Sequence, residues 1–291
     1  MTKQLLIYGN VQPISLKRHH NWCVKAGGDY DFGRKINSVP VMAAEFPKIC
    51  SDYTVVFTGN EETVMPVIIM GFRNEENLYI DSKGKWIAGY IPAFLRRYPF
   101  VFSSADNGKS FTLCIDEEFS GCNQVGIGER LFDKDGQQTQ YLKNVLDFLK
   151  EYQVHYKRTE RFSKKLKELG LLEPMTAQFT LHDGTKANLT GFMAVNREKL
   201  KTLEGEQLRL LAETDELELI YIHIQSLQNF SRVIEKLSDT AKNVAEQPES
   251  SHFSDTKPAK NHAIKKFSST GLKRKTDRKK GPTVKRDNAK K

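Results

Sequence analysis

Along the first 37 residues no apolar period of helical or strand type is sustained. The cluster Lys17, Arg18, His19, His20 and the turn-rich stretch 27–33 read as an irregular lead-in. From Val39 the pattern sharpens. Residues 42–50 predict a short helix, 54–58 a strand, and 64–72 a near-continuous apolar strand of the kind found in a sheet buried on both faces. Polar turns at 74–77 and 82–84 separate short strands around 78–81 and Trp86. In GYIPAFLRRYP (89–99) the first proline can start a helical turn and the second constrains Tyr98 to extended geometry, so a short helix is boxed between them. Strands at 100–103 and 111–115 follow, the second running into Asp116, Glu117 and Glu118, and the sheet half ends near Gly128.

The second half changes period. Tyr141, Val145, Phe148, Tyr152, Phe162, Leu166 and Leu169 recur at helical spacing over roughly 30 residues, about 45 Å of helix, with a break expected near His155. Residues 176–181 and 187–189 alternate around His182-Asp183-Gly184, a hairpin signal of the Asp-Gly kind. Asn196 is placed to cap a helix over 197–203. After Asp215, the positions Leu217, Ile220, Ile224, Leu227 and Ile234 trace a packing stripe to about Leu237, interrupted at Ser231. The fold class is α+β, with a mainly antiparallel sheet in the N-terminal half and long packing helices and a β-hairpin in the C-terminal half. No internal repeat of solenoid or propeller period is present.

Beyond Ser238 the composition turns to Lys, Ser, Pro and Asn. Only Phe253, Ile264 and Phe267 are scattered through it, too little apolar area to offset the entropy of ordering. The chain therefore divides into a lead-in (1–37), a globular α+β domain (38–240) and a tail (241–291) predicted to be disordered. That division relocates the net charge of +9. The tail holds 15 of the 45 basic and 5 of the 36 acidic residues, leaving 30 against 31 in the first 240. A basic tail on a neutral body favours a non-specific polyanion partner, nucleic acid or an anionic membrane surface, through Lys273, Arg274, Lys275, Arg278, Lys279, Lys280, Lys285 and Arg286. The bland alternative is a solubilising appendage.

Cys23, Cys50, Cys114 and Cys122 form no Cys-x-x-Cys pair, and the histidines complete no zinc-like spacing, so no metal site and no cofactor is predicted. The N-terminal MTKQLLIYGNVQP lacks the pattern of a secretory signal, and no window approaches the ~20 apolar residues of a membrane span. A cytoplasmic protein with reduced thiols is expected. Asp133-Lys134-Asp135-Gly136 begins like a calcium loop but lacks its later Gly and Glu, Gly126-Ile127-Gly128 falls short of a dinucleotide fingerprint, and no nucleophile elbow occurs. The sequence leans away from an enzyme. One polar grouping remains: Tyr90, Arg96, Arg97 and Tyr98 with Asp116 and Glu117 downstream are candidates for a ligand pocket, arginine offering bidentate recognition of a carboxylate or phosphate. Surface ion pairing is the alternative reading of the same residues.

Several phrases together resemble the SapC family of bacterial proteins. They are AAEFPKICSDYTVVF at 43–57, GYIPAFLRRYPFVF at 89–102, CIDEE at 114–118, LFDKDG at 131–136, QYLKNVLDFLKEY at 140–152, LGLLEPM at 169–175, LTGFMAVNREKL at 189–200 and ELIYIHIQSL at 218–227. The resemblance spans about 38–235 and leaves out the lead-in and the tail. The family takes its name from a surface-array (S-layer) locus and brings no established activity and no catalytic residues. It implies a soluble accessory or interaction protein, with an unidentified protein partner, linked to surface-layer or envelope biogenesis. The alternatives are a small-molecule-binding protein or enzyme with its pocket near Arg96 and Arg97, and a structural surface-layer component.

Overall fold

The apolar run that begins at Val64 has a hydrophobic layer on each side, and the rest of the fold is arranged around it. The computed structural model describes residues 7–60, 63–105, 110–180, 184 and 186–245. In chain order these form β1 (Val11–Pro13), α1 (Leu16–His19), β2 (Cys23–Val24), a 3-10 turn (Asp31–Gly33) and β3 (Ser38–Pro40). A second 3-10 turn (Ala43–Glu45) leads into α2 (Phe46–Ile49), then β4 (Thr54–Gly59), β5 (Val64–Ile69), α3 (Ala93–Arg96), β6 (Phe100–Ser103), β7 (Thr112–Asp116), β8 (Cys122–Asn123) and β9 (Glu129–Arg130). The C-terminal half supplies α4 (Gln140–Glu168), β10 (Leu172–Thr180), β11 (Lys186–Val195), α5 (Arg197–Lys201), α6 (Gly205–Glu213), α7 (Glu216–Ser226), a 3-10 turn (Leu227–Asn229) and α8 (Phe230–Ala245).

All strand pairs among the described residues are antiparallel. The main sheet has the order β10-β11-β4-β5-β3, and two three-stranded sheets have the orders β1-β7-β6 and β8-β2-β9. Alternation along β5 explains its apolar run. Val64 and Ile68 join the principal core with Phe46, Phe57, Tyr79 and Phe162, while Val67 and Ile69 point the other way, to Val56 and Phe192. A further core, built on Phe100, Ile115, Leu131, Leu142 and Leu149, lies between the smaller sheets and the first half of α4.

No break occurs in α4, which runs unbroken through His155. The stripe that fades after Tyr152 is carried on by Thr159, whose hydroxyl donates to the His155 carbonyl (2.7 Å) and accepts from the Ala43 amide (2.9 Å). A polar residue thus fills a packing position. The N-terminus of α4 is capped by Thr139 Oγ1, which accepts from Leu142 N. At its end Gly170 at φ 64 allows the Gly170 amide to reach Lys167 O and the Leu171 amide to reach Leu166 O, a Schellman closure with Leu166 and Leu171 both buried.

The lead-in is more regular than its sequence pattern indicates. β1 pairs with β7 from Val11↔Asp116 to Pro13↔Cys114, and β2 is the centre strand between β8 and β9. These are two- and three-residue pieces, too short for any period to register. α6 is a helix that the apolar pattern does not indicate, and of its residues only Leu211 is buried. At the other end α8 continues past the boundary drawn at 240, and residues 246–291, which include every basic tail residue singled out above, lie outside the described residues, as does the His182-Asp183 turn.

Candidate functional site

The peptide 89–97 is held against the 3-10 turn before α2 by one buried carboxylate. Glu45 Oε2 accepts from the Met42 amide (2.7 Å), capping the start of the turn, and Oε1 accepts from the Ala93 amide (2.7 Å) and the Tyr90 hydroxyl (3.0 Å). The Ala93 amide is the first of α3 and would otherwise be an orphan, so Glu45 caps that helix across a span of 48 residues. Burial, reinforced by the Glu45 carboxylate, pushes the Tyr90 phenol above its ordinary pKa, which keeps the proton that it donates to Glu45.

Arg96 is fastened to this frame. Its Nε donates to Ile91 O (3.0 Å) and its Nη2 to the Tyr90 hydroxyl (2.9 Å), while the guanidinium lies 5.4 Å from the Tyr90 ring and 5.2 Å from the Phe148 ring. Lys48 Nζ stands 5.9 Å from the Tyr90 ring. Together with Glu151, Tyr152 and His155 of α4 these residues line a cleft of about 260 Å³. His155 Nε2 is 3.5 Å from Glu151 Oε1, and its buried Nδ1 has no hydrogen-bond partner among the described residues. With Arg96 forming no ion pair among the described residues, the cleft presents two cationic groups and a histidine; of its two carboxylates, Glu45 is buried with both oxygens occupied, and Glu151 is exposed beside His155.

The other candidate residues fall elsewhere. Arg97, next to Arg96 on a helical turn, points inward: it is buried, with its guanidinium 4.4 Å from the Phe94 ring, 4.8 Å from Tyr152 and 5.8 Å from Tyr8. Tyr98 donates to Asp116 Oδ2 (3.1 Å), and Asp116, also buried, accepts from the amides of Gly9 (2.9 Å), Asn10 (3.0 Å) and Glu118 (3.1 Å). Glu117 forms a two-pronged pair with Arg18 and accepts from His19 Nε2 (3.1 Å), and Arg18 holds its carboxyl below the usual range. The six residues therefore divide: Tyr90 and Arg96 line the cleft, while Arg97, Tyr98, Asp116 and Glu117 hold the lead-in and the core.

Burial pushes the Cys122 thiol up to about 12 and raises that of Cys114, which leaves both protonated. Among the described residues no group of His, Cys, Asp and Glu could hold a metal ion. A second concavity of about 330 Å³ lies between the 87–89 loop and α8, lined by Asp52, Tyr79, Arg232, Glu235 and Lys236. Its charges are mixed, and Arg232 donates to the Ser51 carbonyl while Asp52 accepts from the Gly89 amide (3.1 Å).

A family model described as SapC matches residues 14–233. The match reaches back through α1 and β2, upstream of the point at which the sequence phrases set in. No curated protein and no solved structure matches the chain. No described helix is long and apolar enough to cross a membrane.

Proposed function

This chain belongs to the SapC family, and we propose that it is a binding protein whose cleft at Tyr90 and Arg96 takes a small anionic ligand, a carboxylate or a phosphate. The observation that carries this reading is the state of Arg96. Its guanidinium is oriented by two hydrogen bonds and two aromatic rings but forms no ion pair among the described residues. A guanidinium pre-ordered in this way loses little entropy on taking an anion and can do so bidentately. Lys48 and His155 add positive or donor character, and the volume of about 260 Å³, just below the roughly 300 Å³ at which ligand cavities usually start, suits only a small molecule. Binding rather than turnover is favoured because Glu45, the one buried carboxylate of the cleft, spends both oxygens on the backbone and Tyr90. Envelope or surface-layer biogenesis is the setting we propose for this binding, on the strength of the family's name.

A panel of small carboxylates and phosphates, screened by thermal shift and then calorimetry, tests the reading. Arg96→Ala should abolish binding of any ligand found, at a stability cost of about 1 kcal/mol or less for an exposed side chain. Arg97→Ala should instead destabilise the chain on the order of 3 kcal/mol, because it empties a buried site packed among aromatic rings. A ligand whose affinity is indifferent to Arg96→Ala would overturn the assignment.

A further inference from the structure

The edges of the three sheets are treated unequally. β1 has three residues and ends in Pro13, β6 has four and follows Pro99, β8 and β9 have two each, and β3 has three and ends in Pro40. Short strands and prolines are the means by which proteins blunt an edge that would otherwise pair with another chain. β10 is the exception. It is nine residues long, and after Glu173 and Pro174 the run 175–180, MTAQFT, contains no charge and no proline. Met175, Thr176 and Gln178 are exposed. Among the described residues no strand pairs with the outer side of β10.

The hairpin also extends beyond the sheet that carries it. β10 and β11 pair from Leu172↔Val195 to Thr180↔Lys186, whereas among the described residues β11 is registered with β4 at Met193↔Phe57 alone. A bulge between Met175 and Ala177, with Gly191 of β11 at φ 83, marks where the hairpin departs from the sheet. What remains is an arm with an open, uncharged edge.

We propose that this edge docks β10 of a second copy of the chain, the two strands pairing antiparallel across a twofold axis. Self-pairing sets a strand against its own sequence, so any charge within the run would face a like charge nearby. The run 175–180 has none, and its Thr, Ala, Gln and Phe are residues that cross-strand pairs accept. The flanking Glu173 and Pro174 confine pairing to this segment. A twofold contact is isologous and closes on itself, which accounts for an open edge in a chain whose other edges are blunted.

Sedimentation or light scattering of the full chain should give a mass near twice 33.3 kDa. Thr176→Lys with Gln178→Lys places four cations along the shared ladder and should raise the dissociation constant roughly tenfold or more. Mixing that variant with Thr176→Glu/Gln178→Glu should restore the dimer as a heterodimer. A monomeric unaltered chain, or a dimer unaffected by the lysine pair, would overturn the proposal. If the lysine variant does not fold, amide exchange on the unaltered chain decides: protection at 175–180 that rises with concentration supports the contact, and protection independent of concentration refutes it.

Discussion

At the scale of single residues, His223 ties stability to pH. It is buried under β4 and β11, its Nε2 accepts from the Val195 amide (3.1 Å), and its ring stands edge-on to Phe57 at 4.9 Å. Burial pushes its pKa from 6.5 down to about 4. Between those two values the unfolded chain binds the proton and the folded chain does not. Stability is therefore fully present above about pH 6.5 and falls as pH drops toward about 4, by on the order of 3 kcal/mol. Burial lowers His19 in the same direction. Denaturant unfolding across this range should show the loss, and His223→Gln, which keeps an acceptor for Val195, should flatten it; an unchanged slope would mean that carboxylates alone set the acid limit. The same scale explains what the sequence could say of the cleft. In GYIPAFLRRYP the sequence offers Arg96 and Arg97 as equivalent anion-binding groups beside Tyr90, but successive residues of a helix diverge by about 100°, so Arg96 faces the cleft and Arg97 the core. Glu45, Lys48 and His155 come from other elements, and no local spacing connects them to Tyr90.

At the scale of elements, apolar periodicity located α4, β5, β6 and the hairpin, and it failed where polar side chains do the packing. The fully buried line of α7 is Leu219, Ile220, His223 and Ser226, and Leu217 and Ile224 of the apolar stripe are half-buried against the same core. Ser226 Oγ accepts from the Val55 amide (3.1 Å), and Asn229 Nδ2 donates to the carbonyls of Cys50 (2.7 Å) and Tyr53 (2.9 Å), so two polar residues dock this segment on β4 and on the turn that leads into it. A count of apolar positions cannot register them. Asp116 plays the equivalent part for the lead-in, accepting from Gly9, Asn10, Glu118 and Tyr98 at the end of β7. Asp116→Ala leaves those donors without their acceptor, each at a cost of about 1–3 kcal/mol unless water reaches it. The variant should lose roughly 3 kcal/mol or more, and amide exchange should quicken first across residues 9–13. Exchange that accelerates uniformly over the chain instead would show that the lead-in is an integral part of the global unfolding unit rather than a separately fastened strap.

At the scale of the whole molecule, the placement of charge sets what the chain can attract. Residues 246–291 contain 14 of the 45 basic and 5 of the 36 acidic side chains, so the 245 residues before them carry 31 of each sign. Long-range attraction to a polyanion therefore rests on the tail, with local cations such as Arg96 and Lys48 acting only over contact distances once a Debye length of about 8 Å screens them. Because α8 reaches at least Ala245, a cut at 240 would remove part of that helix, and the truncation is placed after Ala245, where the described residues end. The full chain should be retained on heparin or single-stranded DNA at low salt, with affinity falling steeply as salt rises in proportion to the phosphates neutralised. Removal of 246–291 should abolish retention and leave the unfolding midpoint nearly unchanged. Retention by the truncated chain equal to that of the full one would place the polyanion contact on the body, and binding to anionic vesicles but not to DNA would identify the tail as a membrane-surface element.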